Sequence, residues 1–499
     1  MNVQQLLNNI KSFGIKPLTE GLSATRIQQF EKKDKRILKA AQDALNRMKA
    51  LMKEFPELSN KTEEELVQIL PQYIKNFYPP ESKTPYVPLA ACGPWVVTVA
   101  GALVYDTGGY GMLGFGHNPQ NILSALSTEQ VMANVMTPSF SQYRCLNKLR
   151  EAIGIGKECP YTHFIFMNSG SEAVEVSTRI CDAHSKILTD KGGKYEGRKI
   201  VTVSAVKSFH GRTGKAARIS NSSLNTYRKH LASFRRIDDV LAVTLNRKDE
   251  LEAVFSRVSN GEIYIDALYL EPVQGEGCPG YSITAEYFEL ARKLTKETSA
   301  FLVIDSIQAG LRCQGVLSVV DYPGFENLEP PDMETFSKAL NGGQFPLSVL
   351  ALSKKAAALY KRGIYGNTMT TNPRALDIIT TVLEETTNEQ FIKKVRQAGE
   401  IFLAKLGELK ERYPEIILNV QGTGLLLSAR IADHIPVVGR NSLEQMIRKR
   451  GVNIIHGGKN YLRFTPVFDI SEDEINLIIC VIQDVLEEVS KKGLSQDGS

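Results

Sequence analysis

The sequence predicts an α/β protein in which a large domain with a mostly parallel sheet is flanked by sequence that builds a smaller domain. Short apolar runs with turn residues at their ends alternate with helical stretches through the middle of the chain. This alternation indicates βαβ units, and the sequence has no internal repeat or low-complexity tract. The runs expected to form strands are THFIFMNSG, RKIVTVSA, IDALYLEP, AFLVIDS and PLSVLALS.

The chain before residue 80 has a helical pattern. Its apolar side chains recur mostly at helical steps, so they share one face that favours a core or a subunit contact. They are Ile27, Phe30, Ile37, Leu38, Ala41, Leu45, Met48 and Met52. The proline-rich stretch YPPESKTPYVP then predicts a linker. We expect a helical extension over 1–80, the first part of the smaller domain over 81–130, the large domain over 131–372 and the rest of the smaller domain over 373–499.

The composition excludes several classes of protein. The 499 residues are 42% hydrophobic and 23% charged, and a net charge of +5 without an aromatic-basic stripe gives no reason to expect a nucleic-acid partner. Seven scattered cysteines without a CxxC pair, and seven histidines without an HExxH motif, indicate reduced thiols and no metal site. No secretory h-region or apolar run of membrane length is present, so we expect a cytoplasmic protein with no membrane partner.

Polar residues follow several predicted strands at their carboxyl ends, where ligands collect in open α/β sheets. Asp305 ends FLVID, and Glu271 ends LYLE. The motif NSGSEAVE, residues 168–175, follows FIFM and starts a helix. Free backbone N–H groups and the helix dipole make such a turn a site for phosphate, although an ordinary βα turn has the same pattern.

Asp305 and Lys338 carry the chemistry that would accompany a phosphate site. A buried strand-end carboxylate needs a partner, which a protonated pyridine nitrogen, a helix cap or a loop hydrogen bond can provide. A lysine in a desolvated pocket can form a Schiff base, although most lysines are surface charges. The chain order of phosphate motif, aspartate, lysine and glycines favours a catalytic role for Lys338.

A series of motifs in fixed order extends from about residue 85 to the C-terminus. They are VYDTGGYGMLGFGHNP, NSGSEAVE, SFHGRT, EPVQGEGCPG, VIDSIQAGLRCQG, TFSKALNGG, GNTMTTNPRA and LRFTPVFDISEDEIN. Together they resemble the class III aminotransferases, a fold type I family that depends on pyridoxal 5′-phosphate (PLP). The resemblance implies a large PLP-binding domain with a mostly parallel sheet and a smaller α+β domain built from both chain ends.

The resemblance implies a role for each matching residue around the cofactor. Lys338 would hold PLP as a Schiff base and move the proton between the substrate carbon and C4′ of the cofactor. Asp305 would pair with the pyridine nitrogen. The other implied cofactor contacts are Gln308 near the ring hydroxyl, Phe209 on the ring face, Ser169, Gly170 and Ser171 at the phosphate, His210, Glu271, and Thr368 from the neighbouring subunit. A homodimer with shared active sites follows from the role of Thr368.

Four further residues resemble the family's substrate contacts. Arg463 matches the arginine that binds the α-carboxylate, and Glu276 matches the glutamate that masks it when an ω-amine donor binds. Arg212 matches the arginine for the distal carboxylate, and Tyr110 matches a gate-side aromatic residue. An internal ion pair between Arg463 and Glu276, and plain packing of Tyr110, are the alternatives.

The sequence also departs from the family pattern. Ser306 and Ile307 stand where the family usually has Glu-Val, and residues around Gln344 and Thr370 differ near the expected pocket. These changes leave the implied PLP contacts in place and leave the donor open.

The resulting prediction is an enzyme that moves an amino group from an ω-amino acid or diamine-type donor to a keto acid, with 2-oxoglutarate expected. An amino-acid racemase, aminomutase or decarboxylase on the same scaffold is the first alternative, since a fold does not determine the reaction. A non-enzymatic binding protein is the second.

Overall fold

The structure is a computed structural model that describes residues 1–132 and 135–496, with side chains as far as residue 491. The chain divides into two compact units. The terminal unit consists of Met1–Gln120, Ala398–Gln421 and Leu427–Ser499, and the central unit consists of Asn121–Gln397 and Gly422–Leu426.

The helices of the described residues are α1 (Val3–Lys11), α2 (Ala24–Glu31), α3 (Lys35–Glu54), α4 (Glu63–Ile69), α5 (Gln120–Ser127), α6 (Phe140–Ala152), α7 (Gly170–Thr189), α8 (Gly214–Arg218), α9 (Leu224–His230), α10 (Lys248–Ser259), α11 (Ala285–Glu297), α12 (Lys354–Leu359), α13 (Pro373–Thr386), α14 (Glu389–Arg412), α15 (Leu443–Lys449) and α16 (Glu472–Gln496).

The strands are β1 (Pro88–Cys92), β2 (Trp95–Thr98), β3 (Leu103–Asp106), β4 (His163–Met167), β5 (Lys199–Ala205), β6 (Val240–Val243), β7 (Ile263–Leu270), β8 (Phe301–Asp305), β9 (Met333–Phe336), β10 (Ser348–Leu352), β11 (Ile417–Thr423), β12 (Leu426–Ile431), β13 (Val452–Asn453), β14 (Ile455–Gly457) and β15 (Tyr461–Phe464).

The central unit is built on a seven-stranded sheet in the order β4-β10-β9-β8-β7-β5-β6. The pairs β9–β8, β8–β7, β7–β5 and β5–β6 are parallel, and β10 is antiparallel to both β9 and β4. The predicted mostly parallel sheet is confirmed, and each predicted run forms one of its strands. Strands β6 and β9 complete the sheet and were not among the predicted runs.

Strand β8 shows how helices cover this sheet. All of its residues are buried. Phe301 and Val303 pack in a cluster with α7, whereas Leu302 and Ile304 pack in a second cluster with α10 and α11. Successive strand side chains point to opposite faces. Asp305, the next residue, therefore lies on the face that α7 covers.

The terminal unit contains the helical N-terminal segment. Helices α1 and α2 pack against α3, which packs against β1 and β2. The predicted apolar face is confirmed for the most part, although Leu38 is 41% exposed. It is divided between α2 and α3, because Asp34 caps a new helix by accepting from Arg36 N. Two four-stranded sheets, β1-β2-β3-β13 and β11-β12-β15-β14, complete the strands of the described chain.

This division differs from the predicted domain boundaries. Residues 1–80 join 81–120 in one unit, because α3 packs on β1 and β2. Residues 121–130 and 373–397 belong to the central unit, where α13 packs against α6. Nothing in the helix-prone sequence after Pro373 indicates that its first part, 373–397, belongs to the central unit. The reason is that α6, against which α13 packs, lies far away in the chain.

The described residues contain no membrane-spanning helix, metal-binding group or disulfide. Within 1–132 and 135–496, no helix is both long and apolar enough to cross a membrane. The same ranges contain no group of three or more His, Cys, Asp or Glu side chains that could hold a metal ion. The seven cysteines, which all lie in the described part of the chain, are free thiols.

We predict that Asp34→Ala lowers the free energy of unfolding by about 1–3 kcal/mol, because the change removes the cap of α3 and the acceptor of a buried indole. Asp34 Oδ2 accepts from Trp95 Nε1 at 2.7 Å, and Trp95 is fully buried. Asp43→Ala is the matched control on the exposed face of the same helix, with an expected change within about 0.5 kcal/mol. Urea unfolding followed by Trp95 fluorescence measures both variants, and equal losses would contradict the prediction.

Candidate active site

The carboxyl edge of the central sheet collects the polar residues that follow its parallel strands. Glu271 follows β7, Asp305 ends β8, and Lys338 lies two residues after β9. Ser169 caps α7, which follows β4. Because these strands run in the same direction, their carboxyl ends meet at the edge where ligands bind in open α/β sheets.

Asp305 is a buried carboxylate, 4% exposed, that accepts hydrogen bonds from three sides. Its Oδ1 accepts from Ile307 N at 3.1 Å and from Thr335 Oγ1 at 3.2 Å. Its Oδ2 lies 2.9 Å from His210 Nδ1, which donates because an ionised carboxylate can only accept. The His210 ring is also buried, and its Nε2 has no hydrogen-bond partner among the described residues. These donors offset part of the cost of burying the charge and fix its orientation.

Glu271 is a second buried carboxylate beside Asp305. It accepts from Phe209 N at 3.1 Å and from Gly275 N at 3.0 Å. Burial raises the pKa of Glu271 to about 7, with a further increase from the negative charge of Asp305, while His210 and the backbone donors oppose the shift. Without a ligand, Glu271 therefore changes protonation near neutral pH.

Lys338 occupies a strained turn directly after β9. Its φ of 46° lies in the left-handed region, which is uncommon for a residue with a Cβ, and Gly342 and Gly343 follow with φ of 59° and 72°. Ser337, the preceding residue, donates its Oγ hydrogen to Leu347 O at 2.7 Å. The Lys338 side chain is half-buried. Conformations of this kind persist where the surrounding structure holds them, often at functional sites.

The N-terminus of α7 packs against the Asp305 turn. A Cβ on Gly170, the first residue of the helix, would lie 2.6 Å from Ile307 Cδ1, so a larger residue here would force the Ile307 side chain to move. Since Ile307 N donates to Asp305, the helix N-terminus and the carboxylate are close neighbours. Ser171 Oγ accepts from Arg212 N at 3.2 Å and thereby joins the loop after β5 to the first turn of α7.

Phe209 and Gln308 lie beside these groups. Phe209 is half-buried, and the exposed Arg212 side chain lies with its guanidinium carbon 5.2 Å from the Phe209 ring centre. Gln308 is 6% exposed, and its Nε2 has no hydrogen-bond partner among the described residues. A Cβ on Gly275 would lie 2.3 Å from Gln308 Cγ, so the Gln308 side chain is packed into a fixed position.

Thr368 and Glu276 lie in loops of the central unit. Thr368 is exposed in the loop between α12 and α13. Its neighbour Asn367 donates from Nδ2 to Glu172 Oε1 at 2.8 Å, and Tyr365 donates from its hydroxyl to the same oxygen at 2.9 Å. These bonds tie the loop to the first turn of α7. Glu276 is half-buried in the loop after β7.

Tyr110 and Arg463 belong to the terminal unit and are neighbours within it. Arg463 is 2% exposed on β15, and its guanidinium carbon lies 5.8 Å from the Tyr110 ring centre. Tyr110 is half-buried and has a φ of 59°. A guanidinium at this distance is attracted to an aromatic ring, so Tyr110 contributes more than apolar packing to this position.

Sequence reasoning missed the residues that hold the strand ends in place. Thr335, on β9, donates to Asp305. Ser306, where the resemblance places a glutamate, donates instead to the fully buried Glu334 at 2.5 Å. Glu334 also accepts from Ser318 Oγ at 2.5 Å and Tyr161 OH at 2.7 Å. Glu334 on the adjacent strand β9 thus accepts a hydrogen bond from the turn after Asp305. In the sequence, the only sign of this contact is that a glutamate lies inside the short run METF.

Comparison with known proteins agrees with this architecture. The chain matches the family model "Aminotransferase class-III" over residues 77–486. An acetylornithine aminotransferase of Nostoc sp. is 28% identical over 327 residues, which is 65% of this chain and 72% of the relative. The solved ornithine aminotransferase of Toxoplasma gondii ME49 superposes with a TM-score of 0.74 at 21% identity, over 89% of this chain and 99% of that one.

A second solved structure of the Toxoplasma gondii enzyme, in which PLP partly occupies the active site, gives a TM-score of 0.72 at 22% identity over 88% and 98% of the two chains. These likenesses define the fold, which is that of the fold type I PLP-dependent transferases. The chain belongs to the class III aminotransferase family. It is therefore a PLP-dependent aminotransferase, and the alternative reactions on the same scaffold find no support.

The residues at the sheet edge fit PLP, which presents a pyridine nitrogen, a ring hydroxyl and a phosphate. Asp305 is a buried carboxylate suited to a protonated ring nitrogen. Gln308 Nε2 is a buried donor with no partner in the described chain and suits the hydroxyl. Gly170 begins a long helix whose first N–H groups have no intrahelical acceptor and suit the phosphate.

We predict that Glu271 makes the cofactor-free protein less stable as the pH rises from about 4.3 to about 7, the interval between its unfolded and folded pKa values. In this interval the folded chain binds more protons than the unfolded chain, so stability is lost on deprotonation. The contribution is at most about 1.4 kcal/mol per pH unit. Urea unfolding at fixed protein concentration should show that Glu271→Gln removes this part of the slope.

The matched control is Glu289→Gln, which changes an exposed glutamate on α11. The measured quantity is the slope of the free energy of unfolding against pH for wild type minus the same slope for the variant. The subtraction is needed because other buried carboxyls titrate in the same interval. If Glu271→Gln leaves the pH dependence of the free energy of unfolding as unchanged as Glu289→Gln does, the prediction that Glu271 stays protonated in the folded chain up to about pH 7 is wrong.

Proposed function

We propose that this aminotransferase moves an amino group from an ω-amino acid or diamine-type donor to a keto acid, with 2-oxoglutarate as the acceptor. The observation that carries the proposal is Asp305, a buried carboxylate fixed by three donors, at a strand end next to the strand that leads into Lys338. The acetylornithine and ornithine aminotransferases similar to this chain are named for donors of the ω-amine class.

The residues around Asp305 prepare the cofactor's ring. Bound PLP supplies an electron sink for the carbanion that forms when the substrate carbon loses its proton. The Asp305 carboxylate holds the proton on the ring nitrogen, and His210 and Thr335 keep that carboxylate from rotating. Gln308 would donate to the ring hydroxyl, and Phe209 would pack against the ring. Glu271 adjusts the charge of this group of residues, because it is buried beside Asp305.

Lys338 would hold the cofactor through Nζ, and its amine would carry the proton at the substrate carbon. Its left-handed backbone fixes the point from which the side chain extends. Ser169, Gly170 and Ser171 would bind the phosphate at the start of α7.

The proposed assembly is a homodimer with shared active sites, in which Thr368 reaches the phosphate site of the partner subunit. Its support is the exposure of Thr368 together with a group of exposed apolar side chains near the start of α6. These are Val131, Met132, Val135, Met136 and Phe140. Sedimentation as a single chain at micromolar concentration would contradict the dimer. The free thiols support a reducing compartment, and we propose the cytoplasm.

Two arginines account for the substrate's charges. Arg463 binds a carboxylate through its guanidinium fork, and the exposed Arg212 takes a distal carboxylate, which suits glutamate and 2-oxoglutarate. Tyr110 lies against Arg463 and borders this position. Glu276 is the fourth proposed substrate residue, and its role stays a prediction from the resemblance.

The test is the visible spectrum of the PLP-loaded enzyme while ω-amines of increasing chain length are added one at a time. We predict that one ω-amine that carries a carboxylate bleaches the lysine-bound cofactor band and that 2-oxoglutarate restores it. The paired control is the same carbon chain without the carboxylate, which should bleach the band at least about tenfold less efficiently because it lacks a partner for Arg463.

Two results would contradict the proposal. Bleaching that no keto acid reverses would exclude the two-stage transfer. Consumption or racemisation of an amino acid without a keto acid, or release of CO₂, would assign a different PLP reaction.

A further inference from the structure

Tyr110 lies in a turn that needs external support. It stands between Gly109 and Gly111, with a φ of 59° that costs of order 1–3 kcal/mol for a residue with a side chain. Glycine on both sides gives the turn backbone many other conformations. Gly111 N donates to Gly108 O at 2.9 Å and Thr465 Oγ1 donates to the same oxygen at 2.6 Å, so the turn is closed by its own hydrogen bonds. Contacts with the Tyr110 ring add to them by favouring the conformation in which the ring lies beside Arg463.

Two aromatic rings provide such contacts. Tyr78 stacks on Tyr110 with ring centres 5.5 Å apart and planes 28° apart. The Tyr78 and Tyr110 phenols also form a hydrogen bond. This bond opposes the rise in the pKa of Tyr110 that burial causes. His456 meets the Tyr78 ring edge-on, with ring centres 5.6 Å apart and planes 81° apart. Aromatic pairs in these arrangements contribute about 0.5–1.5 kcal/mol beyond the area they bury.

Tyr78 lies in an exposed segment whose continuation is bonded to helix α15. It is half-buried, whereas 72–77 and 79–80 are exposed. The chain just after it is fixed by side chains of α15. Gln445 Nε2 donates to Glu81 O at 2.9 Å and to Lys83 O at 2.8 Å, and Arg448 Nη1 donates to Ser82 O at 3.0 Å.

The same helix holds His456. His456 Nδ1 lies 3.0 Å from Glu444 Oε2, and Glu444 is 1% exposed and pairs with Arg448. His456 belongs to β14, whose Ile455 is the cross-strand neighbour of Arg463. Helix α15 thus bonds to His456 and to the backbone of 81–83, the chain that follows Tyr78.

We propose that Tyr78 and His456 are positioning residues that hold Tyr110 against Arg463. A ring fixed beside the guanidinium limits the space next to a carboxylate bound there, so the segment before β1 favours substrates whose carboxylate lies on an unbranched chain. This inference rests on the proposed role of Arg463 in the aminotransferase. It gives the N-terminal part of the chain a function in substrate choice that the motifs of the central unit do not supply.

The experiment measures binding of two unreactive acids, valerate and 2,2-dimethylvalerate, to the PLP-loaded enzyme by calorimetry. We predict that wild type binds valerate at least about tenfold more tightly than the branched acid, a difference of about 1.4 kcal/mol. Tyr78→Ala should weaken valerate binding about tenfold and bring the two affinities within about twofold, because Tyr110 is released from Arg463. His456→Ala should move both values in the same direction.

Tyr78→Phe keeps the ring and should restore most of the valerate affinity and the preference for the unbranched acid. Tyr73→Ala is the matched control, because Tyr73 lies in the same segment and is 92% exposed. It should bind both acids as wild type does. In turnover, Tyr78→Ala should raise KM for the carboxylate-bearing donor while kcat stays within about twofold.

Arg463→Ala separates this inference from the function on which it rests. If Arg463→Ala loses valerate binding and Tyr78→Ala does not, the positioning role is wrong and the role of Arg463 stands. If Arg463→Ala binds valerate as tightly as wild type, both the role of Arg463 and the positioning role are wrong. A cooperative unfolding transition for Tyr78→Ala that begins above the temperature of the binding assay shows that any loss of binding is not a loss of folding.

Discussion

The candidate site depends on one buried charge, the carboxylate of Asp305. A charge at 4% exposure is tolerated because Ile307 N, Thr335 Oγ1 and His210 Nδ1 donate to it. Each donor comes from a different part of the central unit: the turn after β8, the adjacent strand β9, and the loop after β5. Formation of the parallel sheet therefore assembles the site at the same time, and the donors leave one carboxylate in a fixed orientation toward the α7 face.

The sequence predicts most of the central sheet because strands such as β7, β8 and β10 are buried on both faces and read as nearly continuous apolar runs. Strand β9 was missed for a reason that the structure explains. Its second residue, Glu334, is a fully buried acid, and only Ser306, Ser318, Tyr161 and a backbone N–H make it tolerable there. Those partners lie far from β9 in the chain, so no local pattern reveals them.

The features of the candidate site also fall into those that local sequence predicts and those that it does not. Asp305 and Lys338 were identified from strand ends, chain order and the resemblance, since these are local features. The support of Asp305 by Thr335 requires the register of β8 against β9, and the support of Tyr110 by Tyr78 requires the terminal unit to fold. The strained backbone of Lys338 likewise has no signal beyond the glycines that follow it. The residues that we propose to react are therefore readable from the sequence, whereas what holds them in place is a property of the tertiary structure.

The most direct test of the account is to trap the lysine–PLP bond with borohydride and to locate the modified lysine by peptide mass spectrometry. We expect one modified peptide, which contains Lys338, and its loss in Lys338→Ala. Lys354→Ala, which removes an exposed lysine at the start of α12, should leave the labelling unchanged. Modification of another lysine in wild type, or an enzyme that still transfers amino groups without any labelled lysine, would contradict the assignment of Lys338 as the residue that carries the cofactor.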